Sequence, residues 1–404
     1  LHSGAAATDT TARTLITGRA LRGLVDGSVA VLLPAYLLAL GHSAFDVGVL
    51  GTATLAGSAL ATLAVGAFGH RAAPRTLLLG AALLMAATGL AFAGLSAFVP
   101  LLIVAFVGTL NPGAGDVSVF LPLEHARLAG SGRTSHERTA LFARYSLAGA
   151  LAAAVGALAS GAPEALAARF GLQRVDALRA MFVLYAAIGC VIFALYRRLP
   201  MPSATAAQVP PAPLGPSRGI VVKLAALFSV DAFAGGLVLN SLLSLWLMQR
   251  FGLSLAHAGV FFFATGLLAA ASQLAAPALA RRIGLINTMV FTHLPANVCL
   301  VLAALAPTLP VALALLGMRA LLSQMDVPTR TAYVMSVVTS AERAAAASFT
   351  AVPRSLAAAA SPALAGALFA AGWLAAPMVL CGALKIGYDL TLWWACRGQP
   401  LAGD

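Results

Sequence analysis

TLNPGAGDVSVF, residues 109–120, and LLSQMDVPTRTA, residues 321–332, each carry one aspartate in a run with little other charge. The two acids, Asp116 and Asp326, stand 210 positions apart. Arg144 in LFARYSLAGAL and Arg354 in AVPRSLAAAAS repeat that spacing of 210. A charge within a bilayer is costly enough to mark a functional position by default. The same charges occurring twice at one offset belong to a duplicated architecture, and the runs around them decide its kind.

Those runs are apolar. Hydrophobic residues make up 60% of the 404-residue chain and charged residues 9%, against about 25% charged in a soluble domain. This is the composition of a polytopic membrane protein. A spanning helix needs about 20 mostly apolar residues, and the sequence divides into twelve such stretches. In the first half they fall at 17–40, 47–69, 76–96, 99–124, 140–161 and 179–197. In the second they fall at 222–248, 257–279, 286–305, 310–336, 346–370 and 375–396. Between helices 6 and 7 lies LPMPSATAAQVPPAPLGPSRG, residues 199–219, whose six prolines forbid a regular helix and suit a flexible linker. The expected organisation is a six-helix half over 1–198, this linker, and a second six-helix half over 220–404.

The formal charge of +12 belongs to loops, because no basic stripe with interleaved aromatics of the kind that binds nucleic acid occurs. With the N-terminus inside, fourteen loop arginines and lysines fall on the inner side against four outside. That asymmetry predicts a multi-pass protein of an inner cell membrane with both termini and the linker in the cytoplasm. The segment LHSGAAATDTTART has no long apolar core ahead of a cleavage site, so the first apolar run is expected to stay as the first span. Cys190, Cys299, Cys381 and Cys396 lack metal-site or paired spacing. His136-Glu137 is followed by Ala140 where a zinc motif needs a second histidine, and GSGRTS at 130–135 lacks the phosphate-loop lysine. No catalytic residue, metal or cofactor is expected.

The repeat reaches further. Asp26 in LRGLVDGSVAV matches Asp231 in LFSVDAFAGGL at offset 205, and Gly48 matches Gly259 at offset 211. Glu137-Arg138 and Glu342-Arg343 occupy equivalent inner loops. Two halves in one orientation are parallel repeats, a pattern of secondary transporters.

The loop between helices 2 and 3 reads GAFGHRAAPRTLLL, residues 66–79. It resembles the G-x-x-x-D-R-x-G-R motif of the major facilitator superfamily. Gly66 and Arg71 match, His70 stands at the aspartate place, and Ala73 and Pro74 replace the later glycine and arginine. The second copy, PALARRIGLIN at 277–287, keeps Arg282 and Gly284. The helix 4 arginine of the family is Thr109 here, although Arg319 holds the repeat-equivalent place in helix 10. The helix 5 Gly-Pro motif of drug antiporters is absent, Ser361-Pro362 in helix 11 being the nearest step. The resemblance covers essentially the whole chain. It implies an all-α polytopic fold of twelve transmembrane helices in two pseudo-symmetric six-helix halves, with helices 1, 4, 7 and 10 lining a central cavity.

The resemblance also implies a secondary active transporter moving a small organic solute by alternating access. No ATP site is readable, so an ion gradient must drive uphill transport, and protons are expected. Export is favoured; uptake of an organic anion at Arg144, Arg319 and Arg354 is one alternative, and a membrane sensor without transport another. The expected partners are a small molecule, protons and the lipid bilayer, around a monomer.

Candidate coupling or substrate residues are Asp26, Asp231, Arg319, Asn111 and Gln324. Asp116, Asp326, Arg144 and Arg354, with His70, Arg71 and Arg282, are candidates for a cytoplasmic gate, the acids and arginines pairing across the halves. Plainer roles compete with these. Arg22 and Asp26, and likewise Lys385 and Asp389, are spaced i,i+4 and are expected to pair locally. Glu124 is expected to reach the interface beside Arg127, and Arg319 to rest in a salt bridge with a nearby acid. Tyr36, Phe120, Tyr145, Trp246 and Tyr333 are candidates to line an apolar site.

Overall fold

Away from water, each backbone N–H and C=O must be satisfied within the chain, which leaves helices as the spanning element for apolar runs of this length. The computed structural model describes residues 2–113, 118–129, 135–199, 215–339 and 342–396, and contains no strand among them. The linker over 199–219 and Asp116 therefore lie largely or wholly outside the described residues. Helices occupy the expected stretches. In the first half they are α1 (His2–Ala39), α2 (Ala44–Phe68), α3 (Pro74–Gly94), α4 (Phe98–Val107), α5 (Phe120–Ala129), α6 (Ser135–Ala159), α7 (Ala162–Phe170) and α8 (Arg174–Tyr196). In the second they are α9 (Arg218–Gly236), α10 (Asn240–Phe251), α11 (Leu255–Ile283), α12 (Leu285–Ala304), α13 (Leu309–Leu322), α14 (Asp326–Val337), α15 (Arg343–Ala360), α16 (Pro362–Ala370) and α17 (Ala376–Cys396). Among the described residues, nine helical stretches are long and apolar enough to cross a membrane. The protein is an all-α polytopic membrane protein.

The spans expected as helices 4, 7, 10 and 11 are each made of two helical pieces: α4 and α5, α9 and α10, α13 and α14, α15 and α16. Breaking a helix frees carbonyls that need partners. One of them, the Pro112 carbonyl, accepts the Ser241 backbone N–H at 3.1 Å.

The chain divides into two compact units, residues 1–204 with 240–263, and residues 205–239 with 264–404. In the first, α10 lies on α1, where the Ser244 hydroxyl donates to the Val31 carbonyl at 2.9 Å. Both units use the same two helix pairings, and small residues make them possible, since lipid-embedded helices associate through close packing. In the first unit α1 crosses α6 so tightly that a Cβ on Gly27 would lie 2.0 Å from the Ala153 carbonyl oxygen. In the second, α9 meets α15, and a Cβ on Gly236 would lie 2.3 Å from the Ala358 carbonyl oxygen. The other pairing is α3 with α8, where Gly89 faces Ala186 and Gly189 faces Ala86, and its counterpart is α12 with α17, where Gly382 faces Asn297. Leu90, Val99, Leu274 and Trp394 are exposed on the outside, which suits contact with lipid.

Candidate functional site

In the first unit the charges converge on Glu124 at the middle of α5. Both its carboxylate oxygens receive the Arg22 guanidinium, at 2.6 and 2.5 Å. The Tyr145 hydroxyl on α6 and the Tyr196 hydroxyl on α8 also donate to this carboxylate. Arg22 donates in turn to Tyr196 at 2.9 Å and stacks 4.1 Å over the Phe120 ring. Arg22 and Glu124 are 3% and 0% exposed, so this ion pair is fully withdrawn from solvent. Two sequence expectations are corrected here. Glu124 does not reach the interface beside Arg127, and Arg22 pairs with Glu124 rather than with Asp26 one turn away. The bidentate fork of arginine on a carboxylate is a stronger contact than an i,i+4 pair along one helix.

Asp26, one turn further along α1, is buried and takes a side-chain hydrogen bond from Asn111. It makes no ion pair with a described residue, and Arg19 and Arg22 act on it through space. Asn111 itself is 3% exposed. Beside it, the Tyr185 hydroxyl donates to the Thr109 carbonyl at 2.9 Å.

The second unit is built differently around the matching aspartate. Asp231 on α9 receives Lys385 of α17 at 2.5 Å and Arg330 of α14 at 2.9 Å. The other Arg330 nitrogen goes to Asp326, one turn away on α14, at 2.8 Å. Lys385 therefore does not pair with Asp389, as its spacing led one to expect. Asp389 instead accepts from His293 Nδ1 at 2.9 Å and from Asn297 Nδ2 at 3.1 Å, both on α12. Sequence reading passed over Arg330 and His293. The offset of 210 would have flagged Arg330, because its counterpart in the first half is the neutral Phe120.

Arg319 on α13 has no acid. Its side chain makes no ion pair or hydrogen bond with a described residue, its Nε is buried, and the titratable group acting on it is the Cys381 thiol. The expected salt bridge is not among the described contacts. Gln324 accepts from Gln273 of α11 at 3.3 Å.

The gate candidates are scattered. Arg144, Arg354, Arg71 and Arg282 are exposed, with Arg71 lying 5.1 Å over the Phe68 ring. Asp116 and the His70 side chain fall outside the described residues. Of the aromatic candidates, Tyr36, Phe120, Tyr145, Trp246 and Tyr333 are all buried in helix packing, and Tyr36 donates to the Phe92 carbonyl. In the loop before α15, Glu342 accepts from the Ser217 hydroxyl at 2.6 Å, the Thr339 hydroxyl at 2.7 Å and the Gly215 N–H. The Ser217 bond first, then those of Thr339 and Gly215, pull this carboxyl down to about 2.

Two buried charge hubs, one per unit, and an α13 arginine with no ion pair among the described residues invite comparison with known proteins. Residues 15–325 match the model of the Major Facilitator Superfamily. The chain is 23% identical over 407 residues to the uncharacterized membrane protein YJR124C of Saccharomyces cerevisiae, covering 92% of this chain and 91% of that one. Among solved structures, nucleoside transporter NupG superimposes with a TM-score of 0.72 at 13% identity, over 95% of this chain and 98% of that one. A bacterial homolog of the human lysosomal transporter Spinster, inward-facing and unoccupied, gives 0.71 at 14%, over 97% and 96%. The human organic anion transporter MFSD10 gives 0.62 at 17%, over 95% and 99%. At these identities the likenesses establish the fold, and the match of the family model over most of the chain establishes descent. The chain belongs to the major facilitator superfamily.

Proposed function

We propose that this membrane transporter moves a small organic anion by alternating access and couples the movement to protons. Arg319 carries the reading. A guanidinium within the membrane that lacks an acid is costly to desolvate, and a bound anion supplies the missing charge. Its repeat counterpart is Thr109, so no symmetric structural role asks for an arginine there. The organic anion transporter among the structural neighbours agrees with this choice over export of a cationic drug.

The proton part rests on Asp26. Its hydrogen-bond partner is the neutral Asn111, while Arg22 is committed to Glu124. Asp231 is held by two cations and serves as a structural hub. Asp116, Asp326, Arg144 and Arg354 are retained as the proposed cytoplasmic gate, with the linker and both termini in the cytoplasm on the strength of the basic loops.

The test is a melting-temperature screen of the purified protein against organic anions, cations and neutral solutes, repeated on Arg319→Gln. The expected result is stabilisation by anions that the variant loses while keeping its own melting temperature. Stabilisation by cations alone, or a variant that melts early yet still binds, would overturn the reading.

A further inference from the structure

The second unit contains a buried set of ionisable groups that substrate binding at Arg319 does not use. Asp231 and Asp326 share the two permanent cations Lys385 and Arg330 by direct contact, while Asp389, one turn from Lys385 on α17, contacts neither and has His293 as its ion-pair partner. Both permanent cations of this region are thus committed to the other two acids. Arg354 on α15 and Arg319 on α13 also face this region, but Arg354 is exposed and neither makes an ion pair with a described residue. The Tyr388 hydroxyl on α17 is buried without a partner, and its ring stands edge-on 6.3 Å from that of His293. The acid left without a cation is Asp389, which is 1% exposed and meets His293, itself 4% exposed. An unbalanced charge at that depth is costly, and a proton on the imidazole balances it.

We propose that His293 and Asp389 form a proton-binding site between α12 and α17, and that Lys385 passes from Asp231 to Asp389 when the proton leaves. Asp389 accepts two hydrogen bonds, from His293 Nδ1–H on Oδ1 and from Asn297 on Oδ2, so it stays the acceptor and the ring carries the proton. The Nδ1–H is assigned to the 2.9 Å contact with Asp389 in preference to the longer, 3.3 Å approach of Asn297 Nδ2 to the same nitrogen, and the Nε2–H is then the one exchanged. No described residue takes a hydrogen bond from Nε2. Loss of this proton to water leaves a neutral imidazole and an unbalanced Asp389. Lys385 sits one turn away on the same face of α17 and holds Asp231 at 2.5 Å. Drawn to Asp389, it releases a tie between α17 and α9, the helix that carries Asp231. Protonation at His293 thus reaches a helix of the proposed transport path.

The purpose given to this site rests on the proton-coupled reading above, whereas its chemistry is measured separately. Protein labelled with carbon-13 in its histidine rings is placed in lipid nanodiscs, and His293→Gln identifies the His293 resonance. The expected result is a His293 ring that gains and loses its proton reversibly in the bilayer. Lys385→Gln should raise its midpoint, and Asp389→Asn should lower it by about one pH unit or more. Should the Asn variant not fold, Asp389→Glu must keep the titration. A His293 that holds one protonation state throughout, or a midpoint that Lys385→Gln leaves in place, overturns the proposal. Solute accumulation driven by a pH gradient alongside a silent His293 would remove this site and keep the coupling reading. A titrating His293 in a protein without such accumulation would do the reverse.

Discussion

Glu124 stands where one turn of helix meets three others, and every lone pair it presents is used. Such a carboxylate stabilises the fold only while its cation is present. Removing one member of a buried ion pair leaves the other uncompensated and costs about 3–5 kcal/mol, whereas replacing both by apolar groups of similar volume is often close to neutral. Glu124→Leu alone should therefore lower the melting temperature sharply, and Arg22→Met with Glu124→Leu should recover much of the loss. A double variant no better than the single one would mean that the two tyrosines, and not the arginine, set the role of Glu124. Glu342 makes a different prediction, because its partners are neutral. Its carboxyl lies at about 2 against about 4.3 in an unfolded chain. A depressed value means that the anchoring of residues 215–217 is fully present above the unfolded value and is lost as pH falls through the folded one. The protection of the Gly215 amide, its exchange relative to the intrinsic rate at each pH, should be high at neutral pH and fall below about pH 4. Glu342→Gln should show low protection at every pH; high protection in that variant would assign the anchoring to other contacts.

At the level of helices, two crossings govern the first unit, and both depend on glycine because one backbone lies against another. A Cβ on Gly156 of α6 would sit 1.7 Å from the Leu24 carbonyl oxygen of α1, while one on Gly80 of α3 would meet nothing within 4 Å. Gly156→Val should abolish the monodisperse peak of detergent-solubilised protein on size exclusion, with Gly80→Ala eluting as the parent does. Equal behaviour of the two would mean that α1 and α6 can separate at little cost. The broken helices belong to this scale as well. α4 and α13 are both interrupted, but Pro112 lies in the first break whereas Pro328 lies in the first turn of α14, and at an offset of 210 they stand opposite Leu322 and Ser118, so the interruption is shared and the prolines are not. The side chains beyond the two breaks differ: Phe120 packs under Arg22, and its counterpart Arg330 bridges two acids.

Across the whole chain, the repeat keeps its helices and some charges, Asp26 with Asp231 and Arg144 with Arg354, and changes others. Thr109 and Phe120 in the first half answer to Arg319 and Arg330 in the second. The two added intramembrane arginines are thus confined to the second half, and Asp26, whose hydrogen-bond partner is the neutral Asn111, lies in the first. A transporter with this division should lose proton drive and solute binding through different residues. Asp26→Asn in proteoliposomes should still exchange labelled solute across the membrane but fail to accumulate it on a pH gradient. Full gradient-driven accumulation by that variant would remove Asp26 from the coupling machinery.

The membrane class, the helical nature of the apolar runs and the family were legible in the sequence, because run length and motif spacing are properties of the chain taken in one dimension. Asp26, Asp231 and Arg319 could be singled out for the same reason: a charge in an apolar run is visible without coordinates. Their partners could not. Spacing of i,i+4 pointed to Arg22 with Asp26 and Lys385 with Asp389, yet the structure joins Arg22 to Glu124, Lys385 to Asp231 and Asp389 to His293. In a medium of low dielectric the contact nearest in space with the best geometry decides the pairing. Helices far apart in the chain brought those groups together, and only the tertiary structure could show which charges meet.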